Sequence, residues 1–250
     1  MSGHNKWAKI KRKKGVNDAK RGRMFTRFIK EITIAARDGG GNAIGNPRLR
    51  LAMERAAAVN MPAENIKRAI QRGTGELPGQ TYEECTYEGY GPGGVAIIIE
   101  TVTDNKNRTV SELKHLLERH HGKMGAMNSV AWMFHRKGII RVPRAGYNED
   151  ELMNLIIDAG AEDMKTDEDS YEIDTMPESF EKVRQFLESK SIKMDESEIQ
   201  LIPENSVKVE GKEAEQVLKL MEAIEDYDDT QHVYANFDID ESVMAEMQTE

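Results

Sequence analysis

GIIRVPRAGYNEDELMNLIIDAGAEDMKTDEDSYEIDTMPESFEKVRQFLESKSIKMDESEIQLIP, residues 138–203, is the stretch whose hydrophobic spacing decides the fold. Short β-like runs at 138–143, 162–167, 170–175 and 197–203 alternate with patterns of helical period at 149–160 and 177–189. The order is β-α-β-β-α-β, that of a ferredoxin-like unit. Both helices carry start signals. Asn148 with Glu151 and Thr175 with Glu178 have the capping-box spacing, in which a short polar side chain takes an unpaired first-turn N–H and a carboxylate reaches back to the cap.

Working outward, the flanking residues repeat the plan. Runs at 94–103, 107–121 and 128–134, followed by 206–210, 212–226 and 231–238, again read β-α-β-β-α-β once 138–203 is set aside as an insertion. Val110, Leu113, Leu116 and Leu117 line one face of the first helix, and Val217, Leu218, Met221 and Ile224 one face of the second. Val233, Ala235 and Phe237 alternate as in a half-buried strand.

Further out lie three helices. Residues 17–37 place Phe25, Phe28, Ile29, Ile32 and Ala36 on one face, and Gly39 to Gly41 stop the helix. Asn46 before Pro47 starts a second helix with Leu49, Ala52, Met53 and Ala56 inward. Pro62 opens a third, with Ile66, Ala69 and Ile70 inward, and Gly73 closes it. The expected fold class is therefore α+β: an N-terminal helical bundle plus two ferredoxin-like α+β domains, one inserted in the other. The expected division is 1–76 helical, 77–135 with 205–240 a discontinuous α+β domain, 136–204 an inserted acidic α+β domain, and 241–250 a tail.

Charge separates along the same division. The chain carries a net charge of −9, yet residues 1–75 hold 18 Lys and Arg against 5 Asp and Glu, net +13, while residues 145–250 hold 8 against 31, net −23. Such asymmetry points to a basic binding module carried by acidic domains. From His4 to Lys14 the chain carries Lys6, Lys9, Lys11, Arg12, Lys13 and Lys14 around Trp7, with no acidic residue. Cations neutralise phosphates and release condensed counterions, and an exposed indole stacks on a base for about 1–3 kcal/mol, so this run suits an arm that orders on nucleic acid. On the helix that follows, Lys20, Arg23, Arg27 and Lys30 form a stripe opposite the apolar face, beside Arg21. Arg48 and Arg50, with Arg55, Lys67, Arg68 and Arg72, extend the basic surface over the other two helices. The expected nucleic-acid contacts are this arm, the stripe, Arg21, Arg48 and Arg50.

Other chemistries find little support. Cys85 is the one cysteine, which leaves neither a disulfide framework nor a zinc signature. Gly89, Gly91, Gly93 and Gly94 lead into the strand at Val95 rather than a helix, so they read as a tight turn needing positive φ and not as a phosphate loop. His115, His120 and His121 sit at offsets that suit different helix faces rather than a shared metal, and His4, His135 and His232 are isolated. The acidic runs Asp167 to Asp169 and Glu225 to Asp229 lack the alternating ligands, Gly and distal Glu of a calcium loop and read as solvated surface. No cofactor, no metal and no nucleophile constellation is expected, so the chain does not read as an enzyme. Nothing approaches the roughly 18 apolar residues of a membrane span, so a cytoplasmic protein is expected, with monomer as the default state.

GHNKWAKIKRKK at 3–14, DAKRGRMFTRFIKEI at 18–32, NPRLR at 46–50, YEGYGPGG at 87–94, DNKNRTV at 104–110 and NSVAWMF at 128–134 together resemble the YebC family of probable transcriptional regulatory proteins, over essentially the whole chain. That family includes the mitochondrial translational activator of cytochrome c oxidase subunit I. Asn128 stands where family members often carry Gly before Ser-Val. The resemblance implies three domains around a cleft, and DNA-binding transcriptional regulation as the customary function. It equally implies a ribosome-associated role, through ribosomal RNA, in relieving stalling at consecutive prolines. Because the opening motif begins at residue 3, with no transit peptide before it, a bacterial member is expected. No recognition helix with Asn, Gln or Arg set for base edges is identifiable, so double-stranded DNA and ribosomal RNA both remain candidate partners.

Overall fold

The computed structural model describes residues 18–240 and Val243. Its first three helices are α1 (Asp18–Gly39), α2 (Pro47–Ala58) and α3 (Ala63–Gly73). Their shared core is Ile32, Ala35, Ala36, Leu49, Ala52, Ala56, Ile66 and Ala69, with Phe25, Phe28 and Ile29 half-buried at its rim. Asn46 does two jobs here. Its Oδ1 accepts from the Leu49 N–H at 3.0 Å, capping α2, while its Nδ2 donates to the carbonyls of Ala35 and Gly40 at the end of α1. Gly73 is required for close approach rather than for a left-handed turn: a Cβ there would lie 2.3 Å from the Thr33 carbonyl oxygen and 2.8 Å from the Ala36 Cβ.

The first sheet contains β1 (Glu83–Tyr90), β2 (Ala96–Thr103), β3 (Lys123–Met124) and β9 (Thr230–Ala235), in the order β3-β1-β2-β9. Helices α4 (Lys106–Arg119) and α7 (Gly211–Asp226) cover one face, where Ile97, Ile99, Val233 and Ala235 meet Leu113, Leu117, Val217 and Met221. The alternate residues Ala96, Ile98 and Tyr234 project to the other face and pack on Val130 and Phe134. With both faces covered, β2 is buried almost throughout instead of alternating.

This sheet keeps a ferredoxin-like plan in space but not with the strands expected from sequence. The third position is filled by β1, from upstream of the first expected strand. Residues 206–210 contribute only β8 (Val207–Lys208), which pairs in parallel with β10 (Phe237–Asp238) outside the sheet. The expected strand at 128–134 is a loop with a 3₁₀ turn, Ala131–Met133. β1 escaped the pattern because its sequence, EECTYEGY, buries Glu88 and Gly89 where a period-2 reading looks for apolar side chains. The β1–β2 turn behaves as expected, with Gly93 and Gly94 at φ 68° and 77°.

The second sheet has the inferred connectivity and the order β5-β6-β4-β7, all antiparallel, from β4 (Phe134–Pro143), β5 (Asp163–Thr166), β6 (Ser170–Thr175) and β7 (Glu196–Pro203). Helices α5 (Glu149–Ala159) and α6 (Pro177–Ser189) pack on it through Leu152, Ile156, Phe180, Val183 and Leu187. Asn148 caps α5, accepting from the N–H groups of Asp150 and Glu151. The second expected capping box does not form: Met176 occupies the cap position without a side-chain bond, and the Thr175 hydroxyl, at the end of β6, donates to the Gly138 carbonyl.

Candidate nucleic-acid interface

The structure divides the expected basic surface into parts with different fates. Lys6, Trp7, Lys9, Lys11, Arg12, Lys13 and Lys14, and the side chain of Lys20, lie outside the described residues. Arg21 is exposed near the start of α1. The rest of the stripe on α1 turns inward, toward the α7–β9 corner. Arg23 pairs with Asp226 at 3.3 Å. Arg27 is half-buried, and its desolvation lowers its pKa against the opposing pull of Glu225, Asp226 and Asp228.

Lys30 is a correction to the expected contact set. It is buried, and its three ammonium protons have three close acceptors: the carbonyls of Val102 and Asp228 at 3.0 Å each, and Asp229 Oδ1 at 2.7 Å. No donor remains for a phosphate. Asp229 is equally enclosed, with Arg108 Nη2 at 2.9 Å and the hydroxyls of Thr103, Thr109 and Tyr227 around Oδ2. Burial pushes its carboxyl up, but the hydrogen bonds from Lys30, Arg108 and Thr109 prevail and hold it well below the usual carboxylate range. The run Glu225 to Asp229, expected to be solvated surface, thus supplies the carboxylates that dock α1.

The cations of α2 are engaged in the same way. Arg48 pairs with Glu84 and lies 3.7 Å from Asp38, and Arg50 pairs with Glu181 at 2.6 Å. Arg55 reaches Glu198 at 2.8 Å and Glu31 at 3.6 Å. From the inserted sheet's side, buried Arg184 returns a contact to Glu54 at 3.0 Å while also holding Glu181 and Glu188. A cleft of about 540 Å³ opens where the helices meet both sheets, and five carboxylates, Glu31, Glu84, Glu100, Glu181 and Glu198, face three guanidinium groups in its lining. That balance repels a polyanion. On α3, by contrast, Lys67, Arg68 and Arg72 are exposed, with Arg68 paired only to Glu64 one turn away.

Among the described residues no group of three or more His, Cys, Asp or Glu is placed to hold a metal, and no helix is long and apolar enough to cross a membrane. The sequence held both halves of the α1 contact, a cationic stripe at helical spacing and an acidic run 200 residues downstream, but nothing in its local pattern states that they face each other.

Two family models match the chain: the TACO1/YebC protein N-terminal domain over residues 5–76, and the TACO1/YebC second and third domain over residues 82–237. The chain belongs to the TACO1/YebC family. Relatives in this family include the probable transcriptional regulatory proteins of Chlorobaculum tepidum, 54% identical with the whole of both chains covered, and of Koribacter versatilis, 54% identical over 99% of each. The crystal structure of a conserved hypothetical protein from Aquifex aeolicus is similar with a TM-score of 0.82 and 45% identity, covering 89% of this chain and 92% of that one. In this TACO1/YebC chain Asn128 adopts φ 61°, a left-handed position that Asn tolerates.

Proposed function

We propose that this TACO1/YebC protein is a nucleic-acid-binding regulator of gene expression rather than an enzyme, and that binding runs through residues 1–76 with the acidic 77–135/205–240 and 136–204 regions as their carrier. The observation that carries this reading is the segregation of charge, net +13 in residues 1–75 against −23 in residues 145–250. The contacts are the Lys-rich arm around Trp7, Arg21 and the exposed cations of α3. The relatives named probable transcriptional regulatory proteins agree with it. Reversing Lys11 and Lys13 to Glu should weaken binding to duplex DNA and to RNA and flatten the salt dependence by about one unit of log–log slope per lost phosphate contact. Unchanged affinity for both polymers would overturn the reading.

A second reading, a ribosome-associated factor that binds ribosomal RNA, is favoured by one feature. With Arg23, Arg27 and Lys30 turned toward the α7–β9 corner, α1 lacks the outward stripe that would track a duplex backbone, whereas RNA recognition by shape and stacking does not need one. Crosslinking in growing cells followed by sequencing separates the two. Promoter DNA without ribosomal RNA sinks the translational reading, and the reverse sinks the transcriptional one.

A further inference from the structure

We infer that the loop between β3 and β4 is a second nucleic-acid contact, which stacks an unpaired base on the Trp132 indole and meets its phosphate with Lys123. The inference takes its ligand class from the proposed function but uses a surface outside residues 1–76, so the two can fail separately.

Charge favours this contact. Residues 119–137 carry Arg119, Lys123, Arg136, Lys137 and three histidines and not one Asp or Glu, in a chain whose net charge is −9. The carboxylate that enters the loop is that of Glu88, which is buried and engaged by backbone: it accepts from the N–H groups of Asn128 at 2.6 Å, Val130 at 2.7 Å and Ala131 at 2.9 Å. At the base of the loop His135 lies 3.7 Å from Glu204, Arg136 3.4 Å from Glu100 and Lys137 3.6 Å from Glu162, while Lys123 stands against the Tyr90 ring.

The loop is also preorganised. The Ser129 carbonyl accepts from both the Tyr90 hydroxyl and the Trp132 indole N–H, each at 3.2 Å, which brings the two rings to one corner of the loop. Lys123 Nζ stands 5.3 Å from the centroid of the Tyr90 ring. Trp132 nevertheless remains 65% exposed, and Met127 in the same loop 88%. The one polar atom of the indole is already bonded within the loop, so what its exposed surface offers is an apolar, π-faced platform held in place. A fixed platform loses little conformational freedom when a base stacks on it. Stacking beside a cation, with no acidic residue in the loop, suits single-stranded nucleic acid better than a protein partner, which would need more apolar area than two side chains provide.

The test uses the full chain carrying Trp7→Phe, so that Trp132 is the remaining indole, and a fluorescein-labelled oligouridine beside a DNA duplex of equal length. The expected results are quenching of Trp132 emission by unlabelled oligouridine, a loss of single-strand affinity on the order of tenfold in Trp132→Ala with most of it retained in Trp132→Phe, a smaller loss in Lys123→Gln, and unchanged duplex affinity. Far-UV circular dichroism checks that each variant folds. If the parent binds oligouridine while Trp132→Ala binds it equally well, or without quenching, this inference is overturned and the proposed function stands. If the wild-type chain, with Trp7 in place, binds neither polymer, both fall. A loss equal for duplex and single strand also overturns base stacking.

Discussion

Lys30 on α1 and Asp229 on the loop before β9, 199 residues apart, form a buried ion pair with 2.7 Å between Nζ and Oδ1. Removing one member of such a pair leaves the other charged and enclosed, which costs about 3–5 kcal/mol. Asp229→Ala should lower stability to urea by that amount, because it also strands Arg108. Lys30→Met combined with Asp229→Ala should cost less than the sum of the single changes, as for any directly coupled pair. Additive losses would show that the two do not interact as described.

Asp226 holds Arg23, and Asp228 contributes to the field around Arg27. Asp226→Asn with Asp228→Asn should release cations near the exposed start of α1. On the proposed function, nucleic-acid affinity then rises and its salt dependence steepens by about one unit of log–log slope per Arg freed. Filter binding across a salt series reads both quantities.

Acid should act on the docking of the helices. Burial raises the Glu181 carboxyl, but hydrogen bonds from Arg184, Arg50 and Gln185 outweigh it and bring it from the ordinary 4.5 down to about 2. Asp229 is depressed as well, also by cationic partners. A group with a depressed folded-state pKa stabilises the fold fully above its unfolded value and loses that contribution as pH falls toward the folded value. Stability should therefore decline below about pH 4.5 and continue to fall toward pH 2, and Arg50→Ala should flatten part of that decline. Chemical denaturation at pH 3, 5 and 7 checks it.

Gly73→Ala adds a methyl group whose carbon would sit 2.3 Å from the Thr33 carbonyl oxygen. Backbone cannot yield as a side-chain tip can, so α1 and α3 must separate, at about 1–3 kcal/mol. A thermal midpoint unchanged from wild type would contradict this close approach.

Glu88→Gln places amide protons among the backbone N–H groups of Asn128, Val130 and Ala131 that now point at a carboxylate. Loss of stability by about 1–3 kcal/mol is expected. Amide hydrogen exchange at these three residues should speed up more than exchange in the second sheet, and uniform acceleration would argue against a local role.

How much was legible varied with how local the cause was. Helix α2 was readable in full because Asn46, Pro47 and the inward Leu49, Ala52 and Ala56 act within a few turns. The second sheet was readable because its strands and helices follow one another in sequence. Strand β1 was not, since its burial of Glu88 depends on backbone donors 40 residues away.

The sequence by itself determined the α+β class, the three helices and the separation of positive from negative charge, all of which follow from side-chain periodicity and composition along the chain. Only the tertiary structure decided which cations stay at the surface. A helical period states that Arg23, Arg27 and Lys30 share a face, but whether that face meets water or Asp226 and Asp229 depends on how α1 lies against the α7–β9 corner, a relation between segments almost the whole chain apart.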